Sequence, residues 1–243
     1  MALNQRAQSG AYEHIDVKNP ITGEIIGSVP QTNKDDIIEA VERARDAQRA
    51  WGEKSVAERT KYIRRWADLI WANQETLIKI NRRETGKTDS GAFLEIIVLD
   101  NILQYYIHHA PTFLKPQRRR TVVPIIQQAK VFYKPYGVVG VISPWNYPFL
   151  LAFIDLIPAI IAGNTAILKP SEITPFTSDY GIKLMYEAGI PRDVVQIIHG
   201  DGRAGATLTE HVDYIAFTGS TATGRKVAET AAKRLIPCSL ELG

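Results

Sequence analysis

Residues 138–243 alternate between short apolar runs and stretches of helical period, and that rhythm leaves few folds open. The runs 138–142, 166–168, 194–198 and 214–217 read as strands buried on both faces, and residues 237–242 lead into a fifth. Between them the spacing predicts a mostly apolar helix over 149–162, stopped by Gly163 and Asn164. Next comes a helix capped by Thr174, with Pro175 at its first position and Gly189 and Pro191 at its end. A short helix over 203–210 and an alanine-rich one over 221–235 complete the series. Strand–helix–strand units in succession need right-handed crossovers and a parallel sheet with helices on both faces. The expected class is therefore α/β: a doubly wound, parallel, five-stranded, Rossmann-like sheet. Ligands on such sheets bind beyond the carboxyl ends of the strands.

The first half is built differently, with 35 charged residues in residues 1–120 against 20 in residues 121–243. That density suits solvent-facing helices ahead of a buried sheet. Residues 15–29 read as a hairpin around Asn19-Pro20 and Thr22-Gly23. Ile37, Val41, Ala44 and Ala47 share one helical stripe. Ser55 and Glu58 have capping-box spacing ahead of Ile63, Trp66 and Ile70. Asn73 is the expected cap of a further helix ending at Gly86, and a long helix is expected from about Ser90 to His109, stopped by Pro111. The basic run Arg118 to Arg120 reads as a solvated loop, and residues 122–127 and 130–133 as two strands. The chain thus divides into a hairpin-and-helix region (1–117), a strand extension (118–135) and a βα core (136–243).

Charge and cysteine usage narrow the function. The net charge is +3 and neither half is strongly basic, which argues against nucleic acid. One cysteine excludes a disulfide scaffold and a Cys-rich zinc site, and no metal is expected. Residues 1–10 lack the apolar run of a signal peptide, and residues 149–163, interrupted by Asp155 and Pro158, are too short for a membrane span. A cytoplasmic protein is the expectation.

The candidate site residues follow the strands. Ser143-Pro144-Trp145-Asn146-Tyr147-Pro148 is a loop stiffened by two prolines. Asn146 there offers an amide donor suited to a developing oxyanion, or else it simply serves a turn. Lys169-Pro170-Ser171-Glu172 follows the second strand. Its Lys and Glu could hold a sugar's hydroxyls from two sides, or form a surface ion pair. Glu172 accepts from a 2′-hydroxyl and repels a 2′-phosphate. Gly200-Asp201-Gly202 and Thr218-Gly219-Ser220-Thr221-Ala222-Thr223-Gly224 each open a helix, where free N–H groups seat a pyrophosphate. Neither loop is a G-x-G-x-x-G fingerprint or a P-loop. Glu241 ends the last strand, in position for general-base work or for a structural pairing.

Taken jointly, Pro144-Trp145-Asn146-Tyr147-Pro148, Lys169-Pro170-Ser171-Glu172, Phe217-Thr218-Gly219-Ser220-Thr221 with Gly224, and Leu240-Glu241-Leu242-Gly243 resemble the aldehyde dehydrogenase superfamily from about Ile15 onward. Residues 118–169 are similar to bacterial branches that include succinate-semialdehyde dehydrogenases. The resemblance implies NAD(P)+-dependent oxidation of an aldehyde to a carboxylate through a cysteine thioester. It implies Asn146 as oxyanion donor and Glu241 as the base for the nucleophile or the hydrolytic water. Lys169 and Glu172 would hold the adenosine ribose, with Ser171 beside them. Ser143, Pro144 and Trp145 would line the cofactor cleft, Gly219, Ser220 and the helix through Gly224 would face the pyrophosphate, and Gly202 would lie near the adenine. NAD is the expected cofactor, with NADP the other possibility. A homo-oligomer assembled through the strand extension is implied for the full-length form.

The sequence departs from that family in length, stopping at Gly243, roughly half the usual extent. The resemblance then implies that the catalytic domain with the nucleophilic cysteine is absent and that this chain alone is inactive. Cys238 is no substitute, since positions three apart on a strand face opposite ways and Cys238 lies three before Glu241. The alternative is a non-catalytic nucleotide-binding or assembly fragment. An ordinary Rossmann reductase would need Tyr-x-x-x-Lys, and Tyr180 with Lys183 falls one position short.

Overall fold

A computed structural model describes residues 13–123 and 125–243. The segment 1–10, read above for a leader, lies outside the described residues. The chain opens with an antiparallel pair, β1 (His14–Lys18) and β2 (Ile25–Pro30), turned by Asn19, whose Oδ1 accepts the Ile21 N–H at 2.8 Å. Four helices follow: α1 (Lys34–Glu53), α2 (Val56–Ala72), α3 (Gln74–Thr85) and α4 (Asp89–Phe113). The Ser55–Glu58 capping box starts α2, and Gly86, at φ 75°, ends α3. Asn73 does not cap α3 with its side chain: its Nδ2 donates to the Leu69 carbonyl and its Oδ1 accepts from the Tyr180 hydroxyl. Helix α4 also runs past the expected stop, since Pro111 sits inside its last turn. A proline there deprives only Ile107 of its partner, and the Leu114 N–H still closes on the Ala110 carbonyl at 3.0 Å.

A second antiparallel pair, β3 (Gln117–Arg119) and β4 (Ala129–Val131), corrects the expectation for this region. Arg118 and Arg119 are in a strand rather than a loop. The β-branched run expected as a strand over 122–127 is instead the connection, with Val122 94% and Ile125 98% exposed. Strand propensity without a face to bury does not hold a strand.

The core is a five-stranded parallel sheet in the order β7-β6-β5-β8-β9. Its strands are β5 (Val138–Ile142), β6 (Thr165–Lys169), β7 (Val195–Ile197), β8 (Tyr214–Gly219) and β9 (Cys238–Leu242). The crossovers are α5 (Leu150–Phe153) with α6 (Leu156–Ile161), then α7 (Phe176–Glu187), α8 (Gly202–Thr209) and α9 (Thr221–Arg234). The single helix expected over 149–162 is thus split. Pro158 has no N–H for the Ile154 carbonyl and its ring crowds it, so the helix breaks at 154–155.

Strand alternation sorts the core onto two faces. Val139, Val141, Ala166 and Leu168 pack with α2 to α7 around Trp66, Phe149 and Phe153. Val138, Ile167, Ile215 and Phe217 pack with Ile37 and Val41 of α1, Leu208 of α8 and Val227 of α9. The helix layer therefore changes face between β7 and β8. Strands β6 and β7 build outward on one side of β5, and the chain then returns to lay β8 on the other. The carboxyl ends of β5 and β8 form the switch point, the place where ligands bind on sheets of this kind.

Candidate active site

The loops expected to carry the site all leave the carboxyl edge of this sheet. Ser143, Asn146 and Trp145 follow β5, Lys169 ends β6, Gly202 opens α8 after β7, Ser220 follows β8 and Glu241 lies in β9 opposite Thr218. The sequence thus brings residues scattered over a hundred positions to one rim.

The β5 loop is tied from outside. Thr174 Oγ1 donates to the Trp145 carbonyl at 3.2 Å and Ser178 Oγ to the Pro148 carbonyl at 3.0 Å. The expected helix cap Thr174 is spent in this way. Helix α7 begins at Phe176, after Pro175, which offers no side-chain cap, and the Glu84 carboxylate accepts the Phe176 and Thr177 N–H groups at 2.8 and 2.9 Å. Asn146 Oδ1 accepts the Tyr147 N–H at 3.1 Å. That orientation leaves the Asn146 Nδ2 as a donor on an exposed loop.

Ser143 is the anomaly of the rim. Only 4% exposed, its Oγ has no hydrogen-bond partner among the described residues. A buried hydroxyl left unpaired is costly unless something else supplies the bond. It stands at the switch point, where a dinucleotide crosses such a sheet. On the next strand, Lys169 is buried, and its Nζ donates to the Pro170 carbonyl at 2.9 Å and reaches Glu172 Oε2 at 3.4 Å. Burial lowers its pKa, and the Glu172 charge opposes that fall. Ser171 Oγ accepts the Ile173 N–H, which fixes the turn between them. Gly202 is open, with nothing within 4 Å of where a side chain would start.

On the other side of β5, Ser220 caps α9, accepting the Thr223 N–H at 3.3 Å. The Thr221 and Ala222 N–H groups head the helix beside it. Gly219 ends β8, and a Cβ there would lie 2.7 Å from the Phe217 ring. Gly224 serves packing: a Cβ would meet Leu242 at 2.4 Å, so the missing side chain lets α9 close onto β9. Glu241 is exposed, and Cys238, three positions earlier, is exposed too. Two groups here were missed by sequence reasoning. Burial, and after it the Glu241 charge, pushes the Asp155 carboxyl above its ordinary range. The Tyr106 phenol is raised by burial and then by Asp155. Asp155 sits in the α5–α6 break. Among the described residues no cluster of His, Cys, Asp and Glu could hold a metal, and no helix is long and apolar enough to cross a membrane.

A model of the aldehyde dehydrogenase family matches residues 6–243. The chain belongs to the aldehyde dehydrogenase family. Among its relatives, a Mycolicibacterium smegmatis protein provisionally named a succinate-semialdehyde dehydrogenase [NADP(+)] is 41% identical over 228 residues, 93% of this chain and 44% of that protein. The D-glyceraldehyde dehydrogenase (NADP(+)) of Picrophilus torridus is 36% identical over 240 residues, 97% of this chain and 48% of that one. Among solved structures, an aldehyde dehydrogenase from Brucella melitensis superposes with a TM-score of 0.91 at 34% identity, over 95% of this chain and 48% of its own. Betaine aldehyde dehydrogenase from Staphylococcus aureus, in complex with NAD+, gives 0.89 at 32% identity, over 95% and 46%. The chain spans about half the length of the family members it matches.

Proposed function

We propose that this chain is the cofactor-binding half of an NAD(P)+-dependent aldehyde dehydrogenase, acting on a small-molecule aldehyde. The observation that carries the reading is the rim itself. An unpaired buried hydroxyl (Ser143), an outward amide (Asn146), a Lys–Glu pair (Lys169, Glu172), a capped helix start (Ser220) and a strand-end carboxylate (Glu241) follow adjacent strands across the switch point. Those groups fit a dinucleotide. Lys169 and Glu172 would hold the adenosine ribose, with Ser171 shaping their turn and Gly202 leaving room beside the adenine. Ser220, Gly219 and the first turn of α9, which contains Gly224, would face the pyrophosphate. Ser143, Pro144 and Trp145 would line the cleft. When bound, NAD(P)+ supplies the hydride acceptor.

The chain's own residues handle charge and protons. Asn146 Nδ2 donates to the oxygen that becomes negative as a thiolate adds to the aldehyde carbon. Glu241 takes the proton from the thiol, or from the water that releases the carboxylate. The Asp155 carboxyl beside it, held above its ordinary range, keeps a proton near Glu241 further toward neutral pH. The attacking thiol is not Cys238, which alternates to the face opposite Glu241. The chain by itself therefore turns over no aldehyde. We read the protein as cytoplasmic, bound to neither nucleic acid nor membrane, and homo-oligomeric through the β3–β4 extension with its exposed Val122, Ile125 and Ile126.

Glu172, acceptor for a 2′-hydroxyl, favours NAD+ over NADP+. Calorimetric titration of the 243-residue chain should show binding of both nucleotides with the lower dissociation constant for NAD+. Tighter NADP+ overturns the preference, and binding of neither overturns the cofactor role. Steady NADH formation on adding an aldehyde would overturn the claim that the chain alone is inactive. The rival reading, a nucleotide-binding or assembly fragment without chemistry, draws on the same placement of Cys238 on the face opposite Glu241, and it predicts no active form in any longer context.

A further inference from the structure

Helix α5 starts with no side-chain cap of its own, directly after the loop that carries Asn146. Its first N–H groups are not left open. Glu95, in the second turn of α4, reaches in from the outer helical layer with a side chain fully shielded from water. Its Oε2 accepts both the Phe149 and the Leu150 N–H at 3.0 Å. Its Oε1 accepts from Asn81 Nδ2 at 3.0 Å and from the Lys87 ammonium. That ammonium in turn lies 3.9 Å from the centre of the Tyr147 ring. One carboxylate therefore grips the loop on both sides of Pro148: directly at Phe149 and Leu150, and through Lys87 at Tyr147. The backbone N–H of that same Tyr147 fixes the Asn146 amide by binding its Oδ1.

We infer that Glu95 is a positioning residue for the Asn146 amide, acting through the Lys87–Tyr147 contact and the Phe149 and Leu150 N–H groups. The inference rests on the reading of Asn146 as the oxyanion donor. An amide donor is useful only if its Nδ2 points where charge develops, and displacement by an ångström costs much of the effect. The loop's own prolines restrict its backbone but do not orient the Asn146 side chain. Beside the Thr174 and Ser178 bonds to the Trp145 and Pro148 carbonyls, the contacts at Tyr147, Phe149 and Leu150 converge on Glu95, 54 positions before Phe149, which explains why a carboxylate lies in a core that also holds Leu99, Phe149 and Phe153.

The test uses the 243-residue chain and nuclear magnetic resonance. Lys87→Met leaves the Glu95 bonds to the Phe149 and Leu150 N–H groups in place and removes the Tyr147 clamp together with the Glu95 counter-charge. The double variant Glu95→Gln with Lys87→Met removes both ends of the ion pair together, so no unpaired ammonium is left behind. In the double variant, hydrogen exchange at Phe149 and Leu150 should accelerate at least about tenfold, as loss of hydrogen bonds to a charged group implies. Amides in β6 and β8 should keep their protection. In both variants the Asn146 side-chain amide resonances should shift and broaden, and Glu95→Asp should recover them in part. An unmoved Asn146 signal in the double variant overturns the proposal. So does a uniform loss of protection across the sheet, which would make Glu95 a general stabiliser. Nucleotide titration of the same samples separates the two claims. A wild-type chain that binds neither NAD+ nor NADP+ defeats the reading of the site, while the Asn146 signal still decides what Glu95 does.

Discussion

Two helices that follow site loops, α5 and α7, start without a cap of their own, and each receives a buried carboxylate from the outer layer. The two caps differ in one respect. Glu95 meets a cation, Lys87, as well as two backbone N–H groups. Glu84 accepts the Phe176 and Thr177 N–H groups and the Thr177 hydroxyl, and among the described residues no cation pairs with it. The like-signed Asp179, which pairs with His199 Nε2 at 3.0 Å, adds a small upward push to the Glu84 pKa. Burial accordingly lifts the Glu84 pKa to about 7, against the pull of the Thr177 and Phe176 donors. The same geometric task is thus done by a charge-paired cap in one place and by a cap close to neutral in the other. Among the described residues, only the Glu95 cap has a cation within ion-pair distance, Lys87.

The largest effect should come from breaking the charged cap. Glu95→Gln sets an amide nitrogen against donors on either side and leaves Lys87, only 21% exposed, without its counter-charge. Urea unfolding at pH 7 should show a loss of about 3–5 kcal/mol, the usual cost of orphaning one half of a buried pair. Glu84→Gln leaves no cation behind and replaces a group already near half-protonated, so it should cost about 1–2 kcal/mol. Equal losses would mean that Lys87 contributes nothing to the distinction.

The next effect is one of pH. The folded state keeps a proton on Glu84 that the unfolded chain, with the ordinary carboxyl value of 4.5, has released. Between pH 4.5 and about 7 the native state therefore binds more protons, and stability falls as pH rises. Over that window the change attributable to Glu84 is on the order of 3 kcal/mol. It should appear as the difference between the stability–pH curves of the wild type and Glu84→Gln, declining toward pH 7 and level above it. A difference that is flat from pH 5 to 8 would place Glu84 in an ordinary, water-accessible setting.

These caps also mark where the sequence stops being readable. The βα alternation, the Ser55–Glu58 box and the Gly86 terminus are local signals, each carried by residues within a few positions, and all appear in the structure. So does the set of strand-end motifs, because parallel strands deliver their following loops to one edge whatever lies between them. Glu84 and Glu95 are different. Their partners lie 93 and 54 positions away, and nothing near either glutamate in sequence distinguishes it from its exposed neighbours. Thr174 misleads for the same reason: its hydroxyl serves the Trp145 carbonyl across the rim, which frees the α7 start for Glu84. The valine and isoleucine run at 122–126 misleads oppositely, since its propensity is real but no layer covers it. Local chemistry located the rim; the supports that aim its groups come from contacts between layers, which no spacing encodes.

The smallest expected effect supplies the scale for the comparison. Helix α2 has the cap that α5 and α7 lack, built from its own sequence: Ser55 Oγ accepts the Glu58 N–H at 3.2 Å and Glu58 Oε2 accepts the Ser55 N–H at 2.8 Å. Ser55→Ala should cost about 1 kcal/mol in urea unfolding, as an exposed serine cap does. Hydrogen bonds from the Ser55 hydroxyl and then its N–H hold the Glu58 carboxyl below its ordinary range. That contribution is present above the ordinary value of 4.5 and fades as pH falls through the lowered one, so the Ser55→Ala deficit should shrink in acid. The Glu84→Gln comparison moves in the opposite sense and in a higher window, between pH 4.5 and about 7. Opposite slopes from two carboxylates that both bind helix N–H groups would show that water decides the sign: Glu58 caps in solvent, whereas Glu84 caps inside the layer.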